Sequence, residues 1–414
     1  MLHPQTSILL VQPPYLRFLG SHNDRIPLEL CYLNSHLHAA GFDSRVYNAD
    51  WSGATTYLAW RKLFENSFYL QDAADGRSPL YNETLERIMS FNPSVVVLSA
   101  ADNLTTWVDL GNAYTTAFLS EKLRALDIYT VGVGPFYTEV PDKFIHSFDA
   151  ILTGTASPSI VDIVREMPRG QIIAGRPMNT AVRPLIDVLP AIGRDDVIMT
   201  AVGCPFTCTF CLARNSRYYP LPIECVIADT ASRSAEYLDF GDAIFPLQIA
   251  RVKELTPHLK GINKAFSCEV SVSSISERSL EALCELGIVA VKMGLESGDD
   301  SQLASMKKHQ TASGIMKAVK LIKSFGLHLT VYLVLGGPDC SAAALERTYE
   351  LCGEIEADDY VANVWAFHNL AERDFRYDAH WSQFLVREWG LEDIVSKFFD
   401  LQMQTDKHGL GPLI

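Results

Sequence analysis

The sequence predicts an α/β chain in three parts: a parallel sheet covered on both faces, a partial (β/α)6 barrel, and a short helical tail. Three observations carry that prediction. Short all-apolar runs alternate with stretches of helical spacing through most of the chain. A proline-bearing connector at Gly170–Arg194 divides the alternation into two series. Three cysteines within eight residues open the second series, directly after its first strand.

Size and composition agree. A chain of 414 residues is long for one small domain and suits two or three. With 48% hydrophobic and 20% charged residues it is an ordinary globular chain, which excludes disordered and fibrous classes. The net charge of −14 repels phosphate backbones, so nucleic acid is not expected as a partner. Apolar runs such as Val95–Ala101 are far too short for a bilayer span. The first ten residues lack the pattern of a secretory signal. The expectation is a cytoplasmic chain without a membrane partner, whose nine cysteines form no disulfide framework.

In the first series, Ser7–Val11 reads as a buried strand stopped by Pro13-Pro14. Leu28–Ala40 has helical spacing and ends at Gly41. Ser44–Tyr47 and Ser94–Ser99 are further strands, with a mostly helical insertion at Trp51–Phe91 between them. A helix within Thr105–Ala125 leads to strands at Tyr129–Gly134 and Ala150–Thr153. Ligands of such sheets bind at the C-terminal ends of the strands. Those ends carry Ser99, Gly134 and Thr153-Gly154, small or turn-forming residues that let backbone approach a ligand.

In the second series the strands are expected at Val197–Val202, Tyr237–Phe245, Ala265–Val270, Val289–Leu295, His328–Leu335 and Tyr360–Phe367. Helices such as Ser276–Leu286 and Ala312–Phe325 separate them. Six strand–helix steps are too few to close an eight-stranded barrel and enough for an open one. The tail reads as helical over Gln383–Phe399.

The cysteines Cys204, Cys208 and Cys211 have the spacing C-x3-C-x2-C. Three thiolates in one loop bind three irons of a cubane cluster and leave the fourth without a protein ligand. An open position on a metal is a mark of catalysis. A structural zinc site wants four ligands, and the sequence offers no second pair to complete one. Cys31, Cys225, Cys268, Cys284, Cys340 and Cys352 are scattered and read as small core residues.

This cysteine spacing at the end of the first strand of an open barrel resembles the radical S-adenosylmethionine (SAM) enzymes. The resemblance implies a [4Fe-4S] cluster on Cys204, Cys208 and Cys211, with SAM on the open iron as the source of a 5′-deoxyadenosyl radical. It implies that Phe210 lies beside the adenine, that Asp242 meets the SAM amino group, and that Glu296 in Gly294-Leu295-Glu296-Ser297-Gly298 contacts the ribose. It places Gly336, in Gly336-Gly337-Pro338, near the stacked adenine. A flavodoxin- or ferredoxin-type protein, or a chemical reductant, is then the electron donor.

The first half resembles the cobalamin-binding domain found ahead of the barrel in one group of these enzymes. Pro13-Pro14, the helix from Pro27-Leu28 and the strand ending at Ser99 match in order. The implied layout is a flavodoxin/Rossmann-like domain at 1–173, a linker at 174–194, a TIM-type radical SAM barrel at 195–370 and a helical tail at 371–414. Ser99, Gly134, Thr153 and Gly154 then line the cobalamin crevice. Two departures fall on that crevice. Gly132-Val133-Gly134-Pro135 stands where the group has Gly-Gly-x-His, and Gly154-Thr155-Ala156-Ser157 where it has Gly-Glu-Gly-Glu. Asp406-Lys407-His408-Gly409-Leu410-Gly411 spells the D-x-H-x-x-G of other cobalamin proteins, but at the wrong end of the chain.

The implied function is methylation of an unactivated carbon in a small molecule, using cobalamin and two SAM molecules per product. Two alternatives stay open at this point. One is a radical SAM rearrangement or oxidation with cobalamin in another role or absent. The other is a non-catalytic iron–sulfur carrier or sensor, which would not cleave SAM.

Overall fold

Continuous runs of β-branched and aliphatic residues are stable in a sheet only if both faces are covered. Val95, Val96, Val97 and Leu98 are all fully buried. The structure is a computed structural model. The residues it describes are all except 1–6, 15–16, 18–25, 52–76, 101–109, 179–180, 191–195, 212, 215, 338–339, 366–389 and 406–414. The chain divides between residues 195 and 196 into two units.

The first unit holds seven parallel strands: β1 (Ser7–Gln12), β2 (Asp43–Asn48), β3 (Val95–Ser99), β4 (Tyr129–Val133), β5 (Ala150–Thr153), β6 (Gln171–Ala174) and β7 (Val188–Leu189). Their order is β6-β5-β4-β3-β1-β2-β7. The central β2-β1-β3-β4-β5 is the flavodoxin-like order, whose switch point lies between β1 and β3. Helices Leu28–Ala39, Leu110–Arg124 and Ile160–Glu166 make the crossovers. One face packs Leu10, Leu30, Val97, Val131 and Ile163 into a single core. On β4, Gly132 leaves room for two rings: a Cβ there would stand 3.2 Å from Phe148 and from Tyr137.

The expected linker is not free chain. Val188–Leu189 pairs with Val46–Tyr47 as one edge of the sheet, and Gln171–Ala174 pairs with Ala150–Thr153 as the other. The turn residues around both segments disguise them, and an edge strand needs little apolar alternation because one side meets solvent.

The second unit is a six-stranded parallel sheet: β8 (Val197–Ile198), β11 (Tyr237–Phe240), β12 (Ala265–Val270), β13 (Ile288–Glu296), β14 (His328–Leu335) and β15 (Asp359–Val364). The order is sequential from β8 to β15, the open strand–helix barrel expected from the sequence. Local signals start its helices. Ser276 and Ser279 form a capping box on Glu277–Leu286, which Gly287 ends in the left-handed region at φ 102°. Asp299, Thr311 and Ser341 cap the next three helices with side-chain oxygens.

Three expected strands of the barrel are shorter than read, the last of them ending at Val364. The first breaks after Ile198, and Ala201–Val202 (β9) leaves the barrel sheet to pair antiparallel with Tyr219–Pro220 (β10). The second stops at Gly241, where a Cβ would lie 2.8 Å from Val197 Cγ1. The described tail helix, Glu392–Thr405, covers the open edge of β15. There the Ala362 N–H donates to Gln402 Oε1 at 2.9 Å and the Tyr360 N–H to Thr405 Oγ1 at 3.3 Å. Two unpaired strand amides are thereby satisfied by side chains. Residues 383–389 of the expected tail helix lie outside the described residues. No described helix is long and apolar enough to cross a membrane.

Gly132→Val forces two methyls against the Phe148 and Tyr137 rings. Thermal unfolding should show a loss of about 1–3 kcal/mol, the usual cost of overpacking.

Candidate active site

The site begins with a buried carboxylate. Asp242 is 2% exposed and accepts from the Thr200 N–H at 2.7 Å, the Ala201 N–H at 3.1 Å and the Thr200 hydroxyl. Burial pushes its carboxyl up to about 6, against the pull of these donors. Asp242 was expected to face the SAM amino group. In the structure both its oxygens accept from the segment that enters the cysteine loop and pin it in place.

From that anchor the chain enters the loop through Gly203. Its φ is +92°, and a Cβ there would stand 2.1 Å from the Arg217 carbonyl oxygen. The loop is closed at its base by the β9–β10 pair. Just inside, the Ser216 N–H donates to the Cys204 carbonyl at 3.0 Å, and the Cys204 N–H to Ser216 Oγ at 2.8 Å. Arg214 donates to the Cys211 carbonyl at 3.0 Å, and Arg217 lies 5.0 Å over the Tyr219 ring. Both arginines hold loop structure. At the tip, the Thr209 N–H donates to the Met306 carbonyl at 3.1 Å, fastening the loop to the segment after β13.

The three cysteines are free thiols, and burial pushes each of them up, Cys211 to about 12. Among the described residues no group of three or more Cys, His, Asp or Glu converges as the ligands of one metal ion would. A cubane asks for something else. Each thiolate binds a different iron, so the sulfurs stand apart around the cluster rather than around one point. A closed, tethered loop with three thiols and no carboxylate or imidazole among its residues fits that donor set.

Across from the loop, β13 ends in a bulge. Its register against β14 shifts between Gly294 and Glu296, and Glu296 sits in the left-handed region at φ 65°. For a residue with a Cβ that conformation is strained, and it re-aims the side chain. Glu296 is 5% exposed, and its Oε1 lies 2.9 Å from Lys308 Nζ. Gly294 makes the pair possible: a Cβ there would lie 2.2 Å from Glu296 Oε1 and 2.6 Å from Lys308 Nζ. Burial works to lower Lys308, but Glu296, Cys208 and Glu269 outweigh it and hold it well above the ordinary lysine range. The same ammonium lies 5.9 Å from the centre of the Phe210 ring.

Phe210 meets Trp365 edge-on at 6.1 Å, and with Met306 and Val334 these form an apolar wall. Trp365 lies against Gly337, whose Cβ would stand 2.6 Å from the indole. Gly336 and Gly337 both have φ 98°, and the Gly336 carbonyl accepts from Gln302 Nε2 at 2.7 Å. One site in the second unit thus gathers Cys208, Phe210, Glu296, Lys308, Gly337 and Trp365. The sequence reading missed Lys308 and Glu269, because neither has a spacing signal and only the fold brings them near the loop. Asp406–Gly411 lies outside the described residues.

In the first unit, Ser99 ends β3 and is 1% exposed. Gly134 ends β4 at φ 117° and Gly154 follows β5 at φ 90°. A Cβ on Gly154 would meet nothing closer than Gly175 Cα at 4.0 Å, so this strand end is open backbone. Thr153 Oγ1 donates to the Ile173 carbonyl at 3.4 Å, and the Gly154 N–H to Thr138 Oγ1 at 3.0 Å. The divergent loop after β5 is clamped from the helix Leu28–Ala39. The Ala156 N–H donates to Glu29 Oε1 at 3.0 Å, and His36 Nε2 lies 3.2 Å from the Ala156 carbonyl. Ser99 and Gly134 are buried, and Thr153 and Gly154 are half-buried. The loops after β1 and β3 lie largely outside the described residues.

Residues 198–352 match the Radical SAM superfamily. An uncharacterized methyltransferase of Pyrococcus horikoshii is 25% identical over 317 residues, covering 67% of this chain and 68% of the relative. An anaerobic magnesium-protoporphyrin IX monomethyl ester cyclase of Rubrivivax gelatinosus is 22% identical over 262 residues, 53% of this chain and 47% of that one. Among solved structures, the radical SAM methyltransferase TsrM of Kitasatospora setae, with cobalamin and a [4Fe-4S] cluster bound, superposes with a TM-score of 0.57. The identity is 15%, over 86% of this chain and 72% of that one. The cobalamin-dependent radical SAM enzyme OxsB, with aqua-cobalamin bound, gives a TM-score of 0.58 at 14% identity, over 99% of this chain and 58% of that one. Residues 198–352 thus form a domain of the radical SAM superfamily. The fold of the chain, a parallel-sheet domain followed by the barrel, is the one seen in TsrM and OxsB.

Gly203→Ala drives a Cβ into the Arg217 backbone and should open the base of the loop. Iron bound after anaerobic reconstitution should fall well below the wild-type level. Gly261→Ala, which meets nothing within 4 Å, should keep its iron.

Proposed function

We propose that this chain is a cobalamin-dependent radical SAM methyltransferase acting on an unactivated carbon of a small molecule. The observation that carries the reading is the tethered three-cysteine loop facing the Glu296–Lys308 pair in a barrel that follows a flavodoxin-like sheet. When bound, a [4Fe-4S] cluster with SAM supplies a 5′-deoxyadenosyl radical, and cobalamin supplies a methyl group. Cys204, Cys208 and Cys211 hold the cluster. Lys308 places a fixed positive charge beside Cys208, which favours electron entry. Glu296 takes the ribose hydroxyls, Phe210 the edge of the adenine, and the Gly336-Gly337 turn lets backbone approach the ring. Ser99, Gly134, Thr153 and Gly154 form the part of the corrin site on the sheet edge. A flavodoxin- or ferredoxin-type protein supplies the electron.

One observation favours a second reading, a radical SAM reaction without methyl transfer. Both backbone groups of Ala156, in the loop that departs from the Gly-Glu-Gly-Glu pattern, are taken by Glu29 and His36 and are not free for a ligand.

Cys204→Ala should abolish SAM cleavage and lower bound iron, whereas Cys268→Ala should cost only packing. Chain supplied with hydroxocobalamin should retain about one equivalent, read by its visible spectrum after gel filtration. Turnover with the true substrate should give S-adenosylhomocysteine and 5′-deoxyadenosine in about equal amounts, since each SAM role is used once per product. Deoxyadenosine alone, with no methyl label in the product, excludes methylation and selects the second reading.

A further inference from the structure

Five charged side chains share the inner region of the barrel sheet. Asp239 on β11 accepts from Ser267 Oγ at 2.6 Å and is ion-paired with Lys292 on β13. Glu296 and Lys308 are paired at 2.9 Å. The fifth is Glu269 on β12. Strand alternation puts it on the same face as Ser267, one pleat nearer the strand ends from which the cysteine loop leaves. Phe266, Cys268 and Val270, on the opposite face, are buried at 0–2% exposure among the helices.

Glu269 differs from its neighbours in having no direct partner among the described residues. Both nearby ammonium groups act on it electrostatically, yet Lys292 is held by Asp239 and Lys308 by Glu296. Three carboxylates against two lysines leave one negative charge in surplus, and it falls on Glu269. A partly buried carboxylate without a counter-ion is costly, and such a group takes up a proton or a cation. Burial accordingly pushes its carboxyl up to about 7 despite both lysines. It also lies near enough to Cys204 and Cys211 to act on both thiols. A cation received there sits beside the proposed cluster.

We propose that Glu269 is the specificity-determining residue of the barrel interior, receiving a cationic nitrogen of the small-molecule substrate. The proposal rests on the radical SAM reading above. It makes the substrate a molecule that carries a protonated amine or amidine.

The test uses the full chain, reconstituted anaerobically and saturated with SAM. Three probes of similar shape are titrated by calorimetry: 2-phenylethylamine, 2-phenylethanol and 3-phenylpropionate. The amine should bind about tenfold more tightly than the alcohol, as a charge-assisted hydrogen bond implies, and the acid more weakly still. Glu269→Gln, which keeps the shape and loses the charge, should bring the amine-to-alcohol ratio close to one, and Glu269→Asp should retain part of it. Equal binding of amine and alcohol in the wild type overturns the proposal, as does an unchanged ratio in Glu269→Gln. A fall in SAM affinity in Glu269→Gln with the amine preference intact also overturns it, because the cation received is then SAM's own. Iron content and SAM binding report separately on the radical SAM reading. The probe ratio, repeated on cluster-free chain, reports on Glu269 whichever way that reading goes.

Discussion

The catalytic half of this chain depends on the Asp242 carboxylate. Burying an ionisable group is costly unless donors compensate, and here two backbone amides and a hydroxyl do so. In return, Thr200 and Ala201 are held clear of the barrel sheet, and the chain can turn into an antiparallel pair instead of running on as a strand. Arg251 supports the same segment from the next helix, donating to the Thr200 carbonyl at 3.1 Å. The cysteine loop is thus fixed at its base before any metal binds. The three thiols need only deprotonate and adjust, which lowers the ordering cost of taking up a cluster.

Much of this was legible in the sequence, and the reasons differ from part to part. The parallel strands announced themselves because buried strands must be apolar throughout, as Val95–Leu98 is. The cysteine spacing was legible because chemistry fixes it. The hold of Asp242 on Thr200 and Ala201 was not legible, because an acid at a strand end looks the same in sequence whether it faces a ligand or its own backbone. Only hydrogen-bond geometry tells the two apart. The edge strands β6 and β7 were hidden because an edge needs neither length nor a full apolar pattern.

The Glu296–Lys308 pair shows a second limit. Its sequence signature was half visible, in the glycine-flanked glutamate at a strand end. Lys308 lies twelve positions on, past a helix, and nothing in its neighbours sets it apart from Lys307. What selects it is space. Gly294 has no Cβ, so the ammonium and carboxylate can meet across the strand backbone, and the bulge turns Glu296 toward it. The glycine therefore serves the ion pair by leaving room, while the ion pair helps to hold the strained Glu296 backbone in place.

Charge within the barrel follows from the same economy of space. A region ringed by strands offers few places for water, so each ionised group there needs a partner of opposite sign close by. Asp239 with Lys292 and Glu296 with Lys308 meet that requirement internally. A carboxylate between two lysines already engaged cannot be satisfied by moving either one without stranding another acid. The arrangement is complete except for one positive charge. Among the described residues no lysine or arginine is paired with Glu269, and the proposed cationic substrate would complete the balance there.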